Sequence, residues 1–335
     1  MKKMQSKIIR WGILGCGRIA HEFANGLRLV PGAKLEAVSS KTEGKAKRFS
    51  NIFHVKHAYN NYEELVNNTA LDVIYIATTH NFHYENTLLC LEHGKSVLCE
   101  KPFTLNAIQA KNLIKTAKKN ELFLMEAMWT RFFPCIEKLN ELLNERILGE
   151  IRHLIANFGI IRSKERLFNP ILGGGSLLDL GIYLISFASM IYKRSPLKIR
   201  SSAYIGETGV DEKSCYLFEY EDGQTAMLSS SFRLTIPQDA FIFGTKGYLK
   251  IPNFYHPSKI ILKLDEKPKK KIEKPYKAPG YNYEAKEVMR CLNAGKLESK
   301  IMPLDETLEI MKTMDILRSQ WGLKYPGEEE IFFNV

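Results

Sequence analysis

No two of the six cysteines (Cys16, Cys90, Cys99, Cys135, Cys215 and Cys291) form a C-x-x-C pair. That spacing argues against a zinc ribbon and against a disulfide framework, so six free, mostly buried thiols are expected. Apolar runs of the roughly 18 residues needed for a membrane span are also lacking. The start, MKKMQSKIIRWGIL, leads into a strand-like run rather than a cleavable leader, and a cytoplasmic setting is expected. Internal repeats are absent. Acidic residues are in deficit, 37 against 48 Lys and Arg, which gives a net charge of +11 and raises the question of a polyanionic partner. The excess sits in short runs, KAKR at 45–48, KTAKK at 115–119 and KPKKKIEKPYK at 267–277. These lack the interleaved aromatic platform of a single-strand binder and read as solvated loops, so neither nucleic acid nor membrane is an expected partner.

What is present is an ordinary globular balance, 45% hydrophobic and 25% charged over 335 residues, enough for two cores. Short β-rich runs alternate with helical periods: 8–14 then 19–29, 34–40 then 43–53, 72–78 then 83–93, 96–100 then 106–120, and 122–127. That alternation predicts βαβ units and a doubly wound parallel sheet, a Rossmann-type domain over residues 1–127. After a helix over 135–144 the texture changes. HLIANFGII, LKIRSSAYI and KSCYLFEYEDGQTAMLSSSF alternate in the antiparallel manner, with Asp222-Gly223 as a hairpin turn. An α+β domain with an open, mainly antiparallel sheet is expected over 128–335, closing with helices over 283–293 and 304–321. An open sheet leaves a face to be covered, and a homodimer through it is expected.

The first strand ends in GILGCGRIA, with Gly15 and Gly17 between strand and helix and Ala20 in the third fingerprint position. Glycines there allow a tight turn and close approach of a pyrophosphate to the helix amides, with Arg18 and Ile19 opening the helix. The second strand ends in Ser39-Ser40-Lys41-Thr42, with Lys45 four residues past Lys41 and no carboxylate for a ribose hydroxyl. Ser40, Lys41 and Lys45 would attract a 2′-phosphate, so the expected cofactor is NADP, with NAD possible. The strand ending CEKP puts Glu100 and Lys101 at the carboxyl edge of the sheet, where ligands bind in such folds. Pro102 restricts Lys101 to extended geometry. In GGGSLLDLGIYLI (173–185), Asp179 and Tyr183 share a helical face on an otherwise apolar segment. A buried carboxylate there must be paired or line a cavity, and Tyr183 is either a core aromatic or a proton-transfer group.

Together, the G-x-G-x-x-A loop, Glu100-Lys101-Pro102 and the glycine-led helix resemble the Gfo/Idh/MocA family of NAD(P)-dependent oxidoreductases. VLCEKPFTLNA, LFLMEAMWTRFFP, GGGSLLDLGIYLI, ETGVDE and FGTKGYL are similar to its dimeric dihydrodiol and D-xylose dehydrogenase branch. The resemblance implies an NADP(H)-dependent enzyme acting on a CH–OH group of an aldose, such as D-xylose or D-glucose, or of a trans-dihydrodiol. Tyr183 would be its general acid/base, Lys101 its partner and Asp179 the positioning carboxylate. It also implies that Trp129, Arg131 and Phe158 line the substrate pocket, and that Thr78, His80 and His83 stand near the nicotinamide, with no metal. Other branches act on inositols, deoxy sugars or sugar phosphates, and some relatives are non-catalytic sensors. The simultaneous presence of Lys101, Asp179 and Tyr183 favours an enzyme.

Overall fold

A computed structural model describes residues 7–328; the chain start read above as leading into a strand lies, up to residue 6, outside the described residues, as do residues 329–335. Two compact units form, and neither is continuous in sequence. One holds the chain up to Thr104 together with Ile108–Trp129 and Lys277–Leu308; the other holds Leu105–Ala107, Thr130–Tyr276 and the chain from Glu309 on. A single boundary was expected at 127/128, whereas the segment 277–308 returns to the first unit.

The first unit alternates strand and helix as β1 (Ile9–Leu14), α1 (Arg18–Leu27), β2 (Ala33–Ser39), α2 (Lys45–Phe53), β3 (His57–Tyr59), α3 (Tyr62–Val66), β4 (Val73–Ile76), α4 (His83–Glu92), β5 (Ser96–Glu100), α5 (Ala107–Lys119) and β6 (Leu124–Ala127). Its sheet is parallel throughout in the order β3-β2-β1-β4-β5-β6. The strands β4, β5 and β6 are buried along their whole length, as a sheet covered on both faces requires. Strand order reverses between β1 and β4, and in such sheets the crevice at the carboxyl ends beside that reversal receives the ligand.

The second unit starts with α6 (Pro134–Asn144) and β7 (Ile151–Gly159), then α7 (Ile182–Tyr192). Its remaining strands are β8 (Lys198–Ile205), β9 (Asp211–Glu219), β10 (Thr225–Ser231), β11 (Ala240–Gly244), β12 (Gly247–Ile251), β13 (Lys259–Leu264) and β14 (Lys270–Glu273). The eight strands run β14-β13-β12-β11-β7-β10-β9-β8. All neighbours are antiparallel except β7 and β10, so the sheet is mixed, a pairing that local alternation cannot reveal. Asp222 and Gly223 both take left-handed φ, 64° and 72°, and close the β9–β10 hairpin as their sequence predicts. Lys270–Glu273 in the basic run at 267–277 forms the edge strand β14 rather than loop, with its lysines exposed. A lysine-rich edge of this kind discourages further strand pairing.

One face of this sheet packs against α7, burying Leu154, Ala156, Phe158, Ala226 and Leu228. The opposite face carries a cross-strand row Leu217, Met227, Ile155, Phe241, in which Met227 is 52% exposed. The stretch Pro170–Tyr192 is long and apolar enough to cross a membrane by length and composition, although 89% of its most apolar 18 residues are buried within the chain. It is a core segment. Two last helices follow, α8 (Asn282–Asn293) in the first unit and α9 (Leu304–Trp321), which passes from the first unit into the second.

Candidate active site

At the end of β1 the chain turns through Gly15, whose φ of +98° and whose closeness to the Ala77 carbonyl leave no room for a side chain: a Cβ there would lie 2.9 Å from Ala77 O. Gly17 precedes α1, which has no side-chain cap and no acidic residue in its first turn. Its first amides therefore keep their donors and the positive end of the helix faces the turn, the cradle a pyrophosphate needs. Arg18 is exposed and Ile19 half-buried beside it. At the end of β2, the Ser40 side chain accepts from the Thr42 amide at 3.3 Å, while Lys41 lies over the Tyr62 ring at 4.9 Å. Lys45 opens α2, exposed, and lies close enough to Cys16 in the glycine turn to pull its thiol down. Burial wins and pushes that thiol up to about 12, so Cys16 is an unreactive spacer. The donor set, a glycine turn, open helix amides and two exposed lysines without a carboxylate, fits a dinucleotide carrying a 2′-phosphate.

The next two strand ends are tied together by His83. Its Nδ1 lies 2.7 Å from Pro102 O and its Nε2 3.3 Å from Thr78 O, and burial lowers its pKa to about 4. A neutral imidazole has one N–H, and the shorter contact assigns it to Nδ1. His83 thus holds the loop after β5 against the loop after β4. His80 is buried with its ring 5.7 Å from that of His83, and Thr78 accepts through its hydroxyl from Asn86 at 3.2 Å. Lys101 precedes a cis proline and is half-buried. Among the described residues no group of three His, Cys, Asp or Glu could hold a metal ion.

Beneath Lys101 lies a buried acidic cluster. Glu100 accepts from the Tyr75 hydroxyl through Oε1 and from the Lys101 amide at 3.2 Å through Oε2. On α8, Glu284 is fully buried and neither of its oxygens has a hydrogen-bond partner. Tyr281, one turn earlier, stacks on Trp129 with centroids 4.8 Å apart and planes at 4°. Burial pushes Glu100 up to about 7, and burial with the nearby Glu100 charge pushes Glu284 well above the carboxylate range. Glu284 is therefore the neutral member of the pair, and its position was legible: it stands four residues before Val288 on the buried face of α8. A carboxyl raised on folding adds stability that is complete below its ordinary value of 4.5 and is lost as pH rises; for Glu100 the loss runs through about 7, and Glu284, held well above the carboxylate range, adds its own loss over the pH above 4.5. Glu284→Gln, which keeps the shape and cannot ionise, should raise the melting temperature more at about pH 8 than at about pH 5. Equal shifts at both values, measured by thermal unfolding, would refute the neutral assignment.

In the second unit Gly173, Gly174 and Gly175 lead into a π turn at Leu177–Gly181, which continues as α7. The α-helical i, i+4 spacing expected for Asp179 and Tyr183 is thereby changed. Asp179 sits in the wider π turn, and Tyr183 is the second residue of the α-helix. Asp179 is paired as its setting demands, with Arg162 Nη2 at 3.6 Å. Tyr183 is 8% exposed, with its ring 5.6 Å from Phe158 and 6.0 Å from Tyr255, and Phe158 and Tyr255 are 4.5 Å apart. Burial pushes the Tyr255 phenol up while Arg162 pulls it down. Arg162 and Tyr255 were not anticipated; the only local signal was a charged residue just after the apolar strand β7. Arg131 is buried, its guanidinium donating from Nε to Ser186 Oγ at 3.0 Å and from Nη2 to Ser186 O at 2.7 Å. Those bonds anchor the loop before α6 to α7, the helix of Tyr183. So Phe158 and Tyr183 meet in one unit together with Asp179 and Arg162, whereas Lys101, Trp129 and the glycine turn belong to the other.

A glycine turn at the first βα junction of a parallel sheet ordered β3-β2-β1-β4-β5-β6 defines a dinucleotide-binding unit of the Rossmann class. Residues 9–128 match the profile of the oxidoreductase family with an NAD-binding Rossmann fold, and residues 136–250 that of the Gfo/Idh/MocA C-terminal domain. The chain belongs to the Gfo/Idh/MocA family of oxidoreductases. Among curated proteins it is 36% identical over 330 residues to the trans-1,2-dihydrobenzene-1,2-diol dehydrogenase of Xenopus tropicalis, covering 95% of this chain and 99% of that one. The human protein of the same name is 34% identical over 331 residues, with 96% and 99% covered. Among solved structures, an aldose-aldose oxidoreductase from Caulobacter crescentus superposes with a TM-score of 0.87 at 21% identity, covering 94% of this chain and 98% of that one. A 3-ketoreductase from Actinomadura kijaniata, in complex with NADP and TDP-benzene, gives 0.85 at 23% identity, covering 93% and 97%.

Proposed function

We propose that this oxidoreductase is NADP(H)-dependent and acts on a hydroxyl-bearing carbon of a trans-dihydrodiol or an aldose, with Tyr183 as its general acid/base. The observation that carries the reading is the setting of Tyr183. It is a phenol on a glycine-led helix, walled by Phe158 and Tyr255, on the segment that holds the Asp179–Arg162 pair. The dihydrodiol dehydrogenases that match the chain over nearly all their length support the substrate class. Gly15, Gly17 and the first amides of α1 would hold the pyrophosphate, and Ser40, Lys41 and Lys45 the 2′-phosphate. Lysine keeps the charge that this phosphate needs but lacks arginine's bidentate fork. When bound, the nicotinamide supplies the hydride chemistry.

The chain's own groups manage the proton and the oxygen. In oxidation, Tyr183 Oη takes the proton of the substrate hydroxyl; in reduction, it returns that proton to the carbonyl oxygen. Asp179 is assigned to a neighbouring hydroxyl of the substrate and Phe158 to its apolar wall, while the roles of Lys101 at the reacting oxygen and of Trp129 follow from the family resemblance alone. The test is to follow NADPH formation against trans-dihydrodiols, D-xylose, D-glucose and inositols, with NADPH and NADH titrated separately. Turnover of a dihydrodiol or aldose with tighter NADPH binding is expected; turnover of inositols alone, or tighter NADH binding, would overturn the reading.

A homodimer through the open sheet is part of the same proposal. The row Leu217, Met227, Ile155 and Phe241 is continued by Phe243 and Tyr248, whose rings are 5.8 Å apart, an apolar face no element of the described chain covers fully. Sedimentation equilibrium should report twice the chain mass, and Met227→Asp should reduce it to the single chain. A wild-type monomer would remove the dimer from the proposal.

A further inference from the structure

The π turn that carries Asp179 is held from below by a buried polar cluster. A helix start leaves its first amides without intrahelical partners, and burying one unpaired is costly. Ser176 stands at the capping position but does not cap; its hydroxyl bonds that of Ser230 at 2.7 Å. The Leu177 amide donates instead to Asp211 Oδ2, at 2.8 Å, from β9, 34 residues along the chain. The same oxygen accepts from Ser214 Oγ at 3.2 Å, and Ser214, Tyr216 and Ser230 join hydroxyls at 2.7–3.0 Å. Asp211 is fully buried, its other oxygen has no hydrogen-bond partner, and burial pushes its pKa up to about 7.

The glycines fit this cluster closely. At Gly175, where φ is +118°, a Cβ would lie 2.5 Å from Asp211 Oδ1, and at Gly181 one would lie 2.6 Å from the Tyr216 hydroxyl. The Tyr325 hydroxyl donates to Gly174 O at 2.5 Å. Asp211 thus meets the first residue of the turn and Tyr216 the last, so the turn is clamped at both ends. A wide turn lacks the regular α-helical ladder, and here a strand supplies what the ladder does not.

We propose that Asp211, with Tyr216, is a positioning residue of the active site, fixing through the Leu177 amide and Gly181 the π turn that sets where Asp179 and Tyr183 stand. The inference rests on the catalytic reading of Tyr183 above. Its test measures kcat, KM, NADPH binding and amide hydrogen exchange of the segment 175–183 in Asp211→Ala, Asp211→Asn and Tyr216→Phe, with Tyr183→Phe alongside. Asp211→Ala should lower kcat about 100-fold with NADPH binding unchanged, the effect of a small misplacement. Exchange should rise in that segment alone. Asp211→Asn keeps an acceptor for the Leu177 amide and should restore most of the rate and the protection. Tyr216→Phe deletes one oxygen and keeps the fold testable where Asp211→Ala does not fold; it should speed exchange across Leu177–Gly181 and lower kcat by a smaller factor. Wild-type kcat and exchange in Tyr216→Phe and in folded Asp211→Ala would overturn the proposal, and so would an Asp211→Asn no better than Asp211→Ala. If Tyr183→Phe turns over at the wild-type rate, the catalytic reading fails and the positioning role falls with it. An inactive Tyr183→Phe beside fully active Asp211 and Tyr216 variants defeats the positioning role alone.

Discussion

Tyr183→Phe should lower kcat by about 10²–10⁴-fold, the range that a positioned general acid/base supplies, and leave NADPH binding where it was. The substitution removes one oxygen from a side chain that is 8% exposed and keeps the ring that packs on Phe158 and Tyr255. The fold should hardly notice. Lost turnover with an unchanged melting temperature would therefore report chemistry rather than packing, and retained turnover would return Tyr183 to the role of core aromatic.

Gly15→Val should abolish NADPH binding at concentrations that saturate the wild type. Two costs coincide at this position. A β-branched residue at φ +98° carries roughly 1–3 kcal/mol of backbone strain. In addition, its Cβ would lie 2.9 Å from the Ala77 carbonyl and 3.1 Å from the Thr78 methyl, so the strands β1 and β4 would have to part at the point where the parallel sheet opens. The turn would then lift, and the α1 amides would lose their place under the pyrophosphate. Fluorescence titration with NADPH measures the loss, and a thermal scan shows how much of it is stability. A Gly15→Val protein that binds NADPH normally would show that the glycine turn is structural only.

The short β-rich runs of β1, β2, β4, β5 and β6 announced the parallel sheet because strands buried on both faces are mostly apolar, with their few polar residues paired. The three residues of β3, His57-Ala58-Tyr59, had no such run; they pair with β2 at the sheet edge, where one neighbour suffices. In the second unit, the antiparallel hairpin followed from Asp222-Gly223, but the parallel pairing of β7 with β10 is decided by register between residues some 70 apart, out of reach of any local pattern. The site divides in the same way. The glycine turn and the lysines after β2 stand out in the sequence through spacing alone. The π turn does not, since Asp179 and Tyr183 would stand four apart in either kind of helix, and the side chains packed against the turn, Asp211 and Tyr216, lie on another element. Arg131 was expected in a substrate pocket, yet its guanidinium is engaged with Ser186, a partner 55 residues away that no motif around Arg131 names.

The return of residues 277–308 to the first unit sets an order of events for a chain being made on the ribosome. Helix α8 packs on α1 where a Cβ at Gly26 would lie 2.9 Å from the Asn282 nitrogen, and it brings Tyr281 to Trp129 and Glu284 to Glu100. Those residues are translated only after the whole eight-stranded sheet has emerged. Until then, the nucleotide-binding unit has every strand of its sheet and an uncovered flank on α1, so the half of the protein that begins first must wait for the other's sheet before it is complete.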